Sequence, residues 1–185
     1  IEMARAWASM EPKPRRSAIF AAVTAEESGL LGSAYFALNP PIPVSKLAAN
    51  LNFDSYAPLG RAKSTVMTGA DRTSFYGVVQ AAAARHQLTI DPEANPGAGG
   101  YFRSDHFPFA KAGVPAFSVN MGSRPSPLPG ALAKVQERMK GNYHQPTDEY
   151  HEDWDFSGME QFARFGVALG LDIANLPTIP ARIRP

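Results

Sequence analysis

Two adjacent carboxylates, Glu26 and Glu27, follow the apolar run Arg16–Thr24 (RSAIFAAVT). In open α/β sheets the C-terminal ends of strands are where ligands bind. Side by side next to an apolar run, two carboxylates repel unless a cation or a proton intervenes. A third acid, Asp54, ends the polar face of Leu47–Tyr56 (LAANLNFDSY), and an imidazole, His144, precedes a proline turn in Tyr143-His144-Gln145-Pro146-Thr147-Asp148. With no cysteine in the chain, any metal must sit on carboxylate and imidazole, a donor set that suits zinc or a similar divalent ion. Each signal also has a plainer reading. Thr24-x-x-Glu27 matches a capping box, Asp54 a turn acid, and His144 a surface histidine. In Arg103-Ser104-Asp105-His106, Ser104 or Asp105 reads as an N-cap with Arg103 solvated. The combination carries more weight than any member, because all of these positions can converge on one rim of one sheet.

The elements that would position these residues alternate between strand and helix. Ile1–Met10 reads as a helix with no capping residue before it. Arg16–Thr24 reads as a buried strand, Ser28–Leu38 as a helix stopped by Asn39-Pro40-Pro41, and Leu47–Tyr56 and Ser64–Thr68 as strands. Arg72–Leu88 has apolar residues at helical spacing. Asp91–Arg103 is a Gly/Pro-rich loop, Ser104–Ala112 a short helix and Val114–Met121 a strand. A helix at Ala131–Lys140 interrupts the long connection Gly122–Tyr143. Phe156–Leu176 closes the series, with Ser157-x-x-Glu160 as a capping-box match. The expected fold is α/β: a three-layer αβα sandwich around a twisted, mostly parallel sheet, lacking some N-terminal strands, in a single domain over 1–185.

Composition narrows the function classes. The chain has 185 residues, 44% of them hydrophobic and 19% charged, which is globular composition. Lys+Arg 18 against Asp+Glu 17 gives a net charge of +1. That balance leaves no basic field, so nucleic acid is not expected as a partner. No apolar run is long enough to span a bilayer.

Four motifs in order resemble one family: VTAEESGLLGS (Val23–Ser33), NFD (Asn52–Asp54), RSDHFPFAKAGVPAF (Arg103–Phe117) and YHQPTDEY (Tyr143–Tyr150). The sequence resembles the zinc aminopeptidases that include secreted bacterial leucyl aminopeptidases, glutamate carboxypeptidase and glutaminyl cyclases, from about Ala4 to Leu176. The resemblance implies a metallopeptidase that removes N-terminal residues from peptide substrates with two zinc ions, and export to the periplasm or the medium. Carried over by motif, Glu26 matches the general base. Glu27 matches a ligand of one zinc, Asp54 a second ligand of that same ion, and His144 a ligand of the other. Tyr143 matches a tyrosine that donates to the carbonyl oxygen in some members, and Arg103 an arginine that contacts substrate. Asp105 and His106 are expected to be structural support.

Two ligands of the family pattern, an upstream His and a bridging Asp, have no counterpart here; the Asp would fall just before Ile1. The resemblance therefore implies a chain with three of five ligands, weak zinc binding and little activity by itself. A glutaminyl cyclase-like acyltransferase and a non-catalytic binding module of the same fold are the alternatives. The YHQPTDEY and RSDHFPF stretches favour the peptidase, and retention of Glu26, Glu27, Asp54 and His144 argues against the module.

Overall fold

The computed structural model describes residues 1–124 and 128–181. Residues 125–127, within the expected Gly122–Tyr143 connection, lie outside the described residues. Strand β4 (Ala116–Ser118) pairs in parallel with β1 (Asn50–Asn52), Asn50 opposite Ala116 and Asn52 opposite Ser118. One residue further on, β5 (Asn120–Met121) pairs antiparallel with β2 (Ser64–Val66), which pairs in parallel with β3 (Thr89–Asp91). Ser118 N–H donates to the Thr68 carbonyl (3.1 Å) and Val119 N–H to that of Asn52 (2.9 Å). The stretch Ala116–Met121 thus joins the two small sheets into one mixed α/β arrangement.

Period-two alternation along β4 sets the layers. Phe117 faces a core shared with α3 (Tyr76–Arg85) and α6 (Ser157–Ala174), through Val79, Ala82, Phe162, Phe165 and Leu169. Ala116 faces the other way, into a core with Ala37, Phe109, Ala110 and Val114. There α2 (Leu31–Leu38) packs on α4 (His106–Lys111). Helix α1 (Glu2–Ala8) packs on α6, and α5 (Gly130–Asn142) precedes the His144 turn. The expected αβα layering is present. Gln161 of α6 ties its layer to the sheet: its amide accepts from Ala62 N–H (2.9 Å) and donates to Ala62 O (3.0 Å), taking the place of a backbone partner.

Several boundaries and one element differ from expectation. Arg16–Thr24 forms no strand. Its residues 17–23 share the lining of an apolar cavity of about 1120 Å³ with α1 and Leu47–Phe53; the run lies beside β1 without a ladder to it, and Ile19 and Phe20 remain about half exposed. Apolar composition alone does not make a strand without a ladder to a neighbour. Instead the start of the run is tied to the end of α6. The Arg16 guanidinium donates to the carbonyls of Ala174 (3.0 Å) and Leu176 (2.6 Å), and Arg15 N–H to Asn175 Oδ1 (3.0 Å). Strand β3 lies where the sequence reading passed from helix to loop. The capping box at Ser157 is not used: Asp155 Oδ1 accepts from Ser157 N–H (2.9 Å), and Glu160 pairs with Arg164 (2.8 Å).

Candidate active site

A tight turn builds the first half of the site. The carbonyl of Glu26 accepts from the N–H groups of Gly29 (3.0 Å) and Leu30 (2.9 Å), Ala25 O from Leu31 (3.2 Å), and Thr24 O from Gly32 (2.9 Å). Reversing the chain this sharply requires left-handed backbone at Ala25 (φ 57°), Gly29 (φ 97°) and Leu30 (φ 61°). Leu30 occupies the N-cap of α2, so Glu27 is not at the helix start and the capping-box reading of Thr24 and Glu27 does not apply. Helix α2 can seat so close because residue 32 is glycine; a Cβ there would lie 2.6 Å from Thr24 N and against Thr24 O.

Helix α5 builds the second half. Tyr143 is its C-cap, and His144 follows with φ 58°. The loop is closed by Gln145 N–H on Asn142 O (2.8 Å) and by the Thr147 hydroxyl on Asn142 Oδ1 (3.0 Å). This brings His144 Nε2 to 2.9 Å from Glu27 Oε1. Tyr143 stacks on the imidazole, ring centroids 3.9 Å apart and 20° from parallel, with its side chain otherwise exposed.

Glu26 sits behind this pair and feels every charge in it. Its carboxyl titrates above the ordinary range, first because of burial and then because Glu27, Asp54 and Asp105 face it; His144 works in the opposite sense. Asp54 is reached by the Ser104 hydroxyl at 3.3 Å. Arg103 lines a pocket of about 630 Å³ together with Glu26, Glu27, Leu30, Phe102 and Phe107. The structure therefore brings Glu27 and His144 into contact, with Glu26 and Asp54 within electrostatic reach and Arg103 on the same pocket wall. The resemblance grouped Glu27 with Asp54 around one ion; the contact partner of Glu27 here is His144.

Asp105 was read as support alone, yet it adds to the field on Glu26. No side-chain bond from Ser104 or Asp105 caps α4 among the described residues; Ser104 serves Asp54 instead. The signal for both was the acid-rich RSDH stretch next to a glycine loop.

The model of peptidase family M28 matches residues 1–166. The chain belongs to that family. Solved structures share the M28 fold. The LapA aminopeptidase of Legionella pneumophila superposes with a TM-score of 0.69 at 19% identity, over 96% of this chain and 44% of that one. BSAP, a zinc aminopeptidase from Bacillus subtilis, gives 0.64 at 22% identity, over 91% of this chain and 38% of that one. The chain thus spans less than half the length of either. Among curated proteins, none matches this sequence.

The residues gathered here fit a divalent ion by donor type. A carboxylate and an imidazole already face each other at 2.9 Å, and Asp54 and Asp105 lie near enough to Glu26 to raise its pKa. They do not by themselves complete a donor set: among the described residues, no three His, Asp or Glu side chains gather closely enough to hold a metal.

Proposed function

We propose that this chain carries the general base and part of the metal site of a zinc-dependent exopeptidase acting on the N-terminal bonds of peptides, in a protein exported from the cell. The observation that carries the reading is the convergence of Glu27 and His144 at 2.9 Å beside Glu26. In this reading Glu27 and His144 are donors to one ion and Asp54 belongs to a second. The ions would supply carbonyl polarisation and water activation near neutral pH. Glu26, whose surroundings favour holding a proton, takes one from the attacking water and passes it to the leaving amine. The Tyr143 hydroxyl, on an exposed side chain stacked on His144, donates to the developing oxyanion. Arg103 holds the substrate on the pocket wall. With too few donors gathered, the chain alone binds zinc weakly and turns over little.

Calorimetric zinc titration tests the donor count. Weak binding that Glu27→Gln, His144→Ala and Asp54→Asn each diminish is expected; two tight sites per chain would refute the incomplete-site reading. For the reaction, the protein is assayed with zinc on aminoacyl-nitroanilides and on N-terminal glutaminyl peptides. Hydrolysis abolished by Glu26→Gln supports the exopeptidase, whereas cyclisation of the glutaminyl peptide overturns it.

A further inference from the structure

Behind Asp54 runs a chain of polar side chains that enters the core. The Asn52 amide nitrogen lies 2.7 Å from Ser104 Oγ and 3.2 Å from Ser118 Oγ. Ser104 Oγ lies 3.3 Å from Asp54 Oδ2, and Ser118 Oγ 3.0 Å from His106 Nδ1. Asn52 is half-buried; Ser118 and His106 are buried. Three elements contribute: β1 gives Asn52, β4 gives Ser118, and α4 with the turn before it gives His106 and Ser104.

Hydrogen counting fixes the bonds at the Asp54 end and assigns a direction to the deeper ones. An ionised carboxylate only accepts, so the Ser104 hydroxyl must donate to Asp54. Ser104 oxygen is then free to accept, and the amide nitrogen of Asn52 supplies that hydrogen. The same NH₂ group carries a second hydrogen, directed at Ser118. Ser118, having accepted, turns its own hydroxyl hydrogen to His106. That arrangement makes His106 Nδ1 the bare nitrogen and puts the ring proton on Nε2, a buried atom with no hydrogen-bond partner among the described residues. Reversing the Asn52 amide would present an oxygen to both serines and leave Ser104 pulled between two acceptors.

We propose that Asn52 is a positioning residue: its amide orients Ser104 toward Asp54 and Ser118 toward His106, so that one side chain holds the Asp54 carboxylate at one end and fixes the His106 tautomer at the other. The functional half rests on the reading of Asp54 as a metal ligand. Partners behind a ligating carboxylate orient it and raise metal affinity.

The test has two arms, both on the chain itself. Ring ¹⁵N–¹H correlation spectra of histidine-labelled protein near neutral pH read the tautomer without metal, with the His106 signals assigned by substitution. Unsubstituted protein should show His106 protonated at Nε2 only. Asn52→Leu, close in shape but without hydrogens to give, should bring the two His106 nitrogen shifts together, and Ser104→Ala should leave them unchanged. In the second arm, calorimetry with zinc should show affinity falling about 10-fold in Asn52→Leu and in Ser104→Ala, within the range for loss of a ligand's supporting partner, and retained in Ser104→Thr. If Asn52→Leu does not fold, Ser118→Ala replaces it in the first arm: it should release the tautomer and keep zinc affinity. A tautomer unmoved by Asn52→Leu, or by Ser118→Ala where that stands in, overturns the shared hub. A moved tautomer with unchanged zinc affinity in both Asn52 and Ser104 variants overturns the role toward Asp54. Zinc failing to bind the unsubstituted chain removes the ligand reading and the functional half with it, and the tautomer arm still decides the hub.

Discussion

Acidifying the protein from about pH 7.5 to about pH 5 is expected to remove roughly 2 kcal/mol of stability through His106 alone. The ring is buried, lies edge-on to Tyr101 at 5.0 Å between centroids, and faces Ser118. Burial pushes its pKa from 6.5 down to about 4, opposed only in part by the Tyr101 backbone. The unfolded chain, with an ordinary histidine, takes up the proton first, so stability falls with pH between 6.5 and about 4. At one unit above the folded value, the linkage integral gives about 2 kcal/mol, and the full span of shift gives about 3 kcal/mol. Urea unfolding at a series of pH values measures the slope, and His106→Asn supplies the reference. Its side chain keeps an acceptor for Ser118 but does not titrate. Its smaller volume lowers stability at every pH, so the quantity of interest is the difference in slope between the two proteins. Asp153 and Asp155 also contribute to acid sensitivity. Arg138 and Ser157 respectively hold their carboxyls below the usual range, so their stabilisation is present above the ordinary carboxylate pKa and lost at lower pH. Those contributions are common to both proteins and cancel. Parallel stability profiles between pH 6.5 and 4, or a difference that develops only above 6.5, would refute the argument.

Two other substitutions test how the site is held. Gly32→Ala puts a methyl group against the Thr24 backbone, which cannot give way as a flexible side chain would; overpacking at the upper end, about 3 kcal/mol, offset by up to ~1 kcal/mol of helix propensity, predicts a net loss of about 2 kcal/mol in denaturant unfolding, and unchanged or higher stability would contradict the close approach. Arg16→Met removes two bonds, one to the last carbonyl of α6 and one to the Leu176 carbonyl just beyond it, and should cost about 1–2 kcal/mol. Arg164→Met breaks only an exposed pair with Glu160 and should change stability by less than about 0.5 kcal/mol; equal melting shifts for the two would count against the Arg16 tie.

What could be read in advance followed the length and periodicity of each signal. The strand expected at Val114–Met121 is present as β4 and β5, and its successive residues Ala116 and Phe117 enter opposite cores. Strand β3 was missed because three residues, Thr89–Asp91, are too few to show a period of two. Arg16–Thr24 has strand composition, but pairing is a property of the neighbour, and none bonds to it here. The two capping boxes failed for a related reason. At Ser157 the N–H was taken by Asp155 two residues earlier, and at Thr24 the helix start was displaced to Leu30 by left-handed backbone. Glu26, Glu27, Asp54 and His144 were assigned a shared site by motif resemblance. Nothing in local spacing brings Glu27 to His144, since the contact depends on where α2 and α5 end up. The chain from Asn52 to His106 was not legible at all, because it needs side chains from three elements.

The backbone gives a separate reason to place function at this rim. Among the described residues, four that are not glycine adopt left-handed φ: Ala25, Leu30, Gln87 and His144. Three of these four flank the Glu26–Glu27 turn or carry its partner imidazole. Each costs about 1 kcal/mol or more. The contact they produce does not repay that cost, because Glu27 and His144 are both more than half exposed and such a pair stabilises by at most about 1 kcal/mol. Glu26 adds to the imbalance, since its neighbours raise the free energy of its charged form. Folding stability alone would favour relaxed backbone and separated acids here. In the proposed reading, a cation recruited by the cluster offsets the strain of a turn that holds acids and an imidazole together.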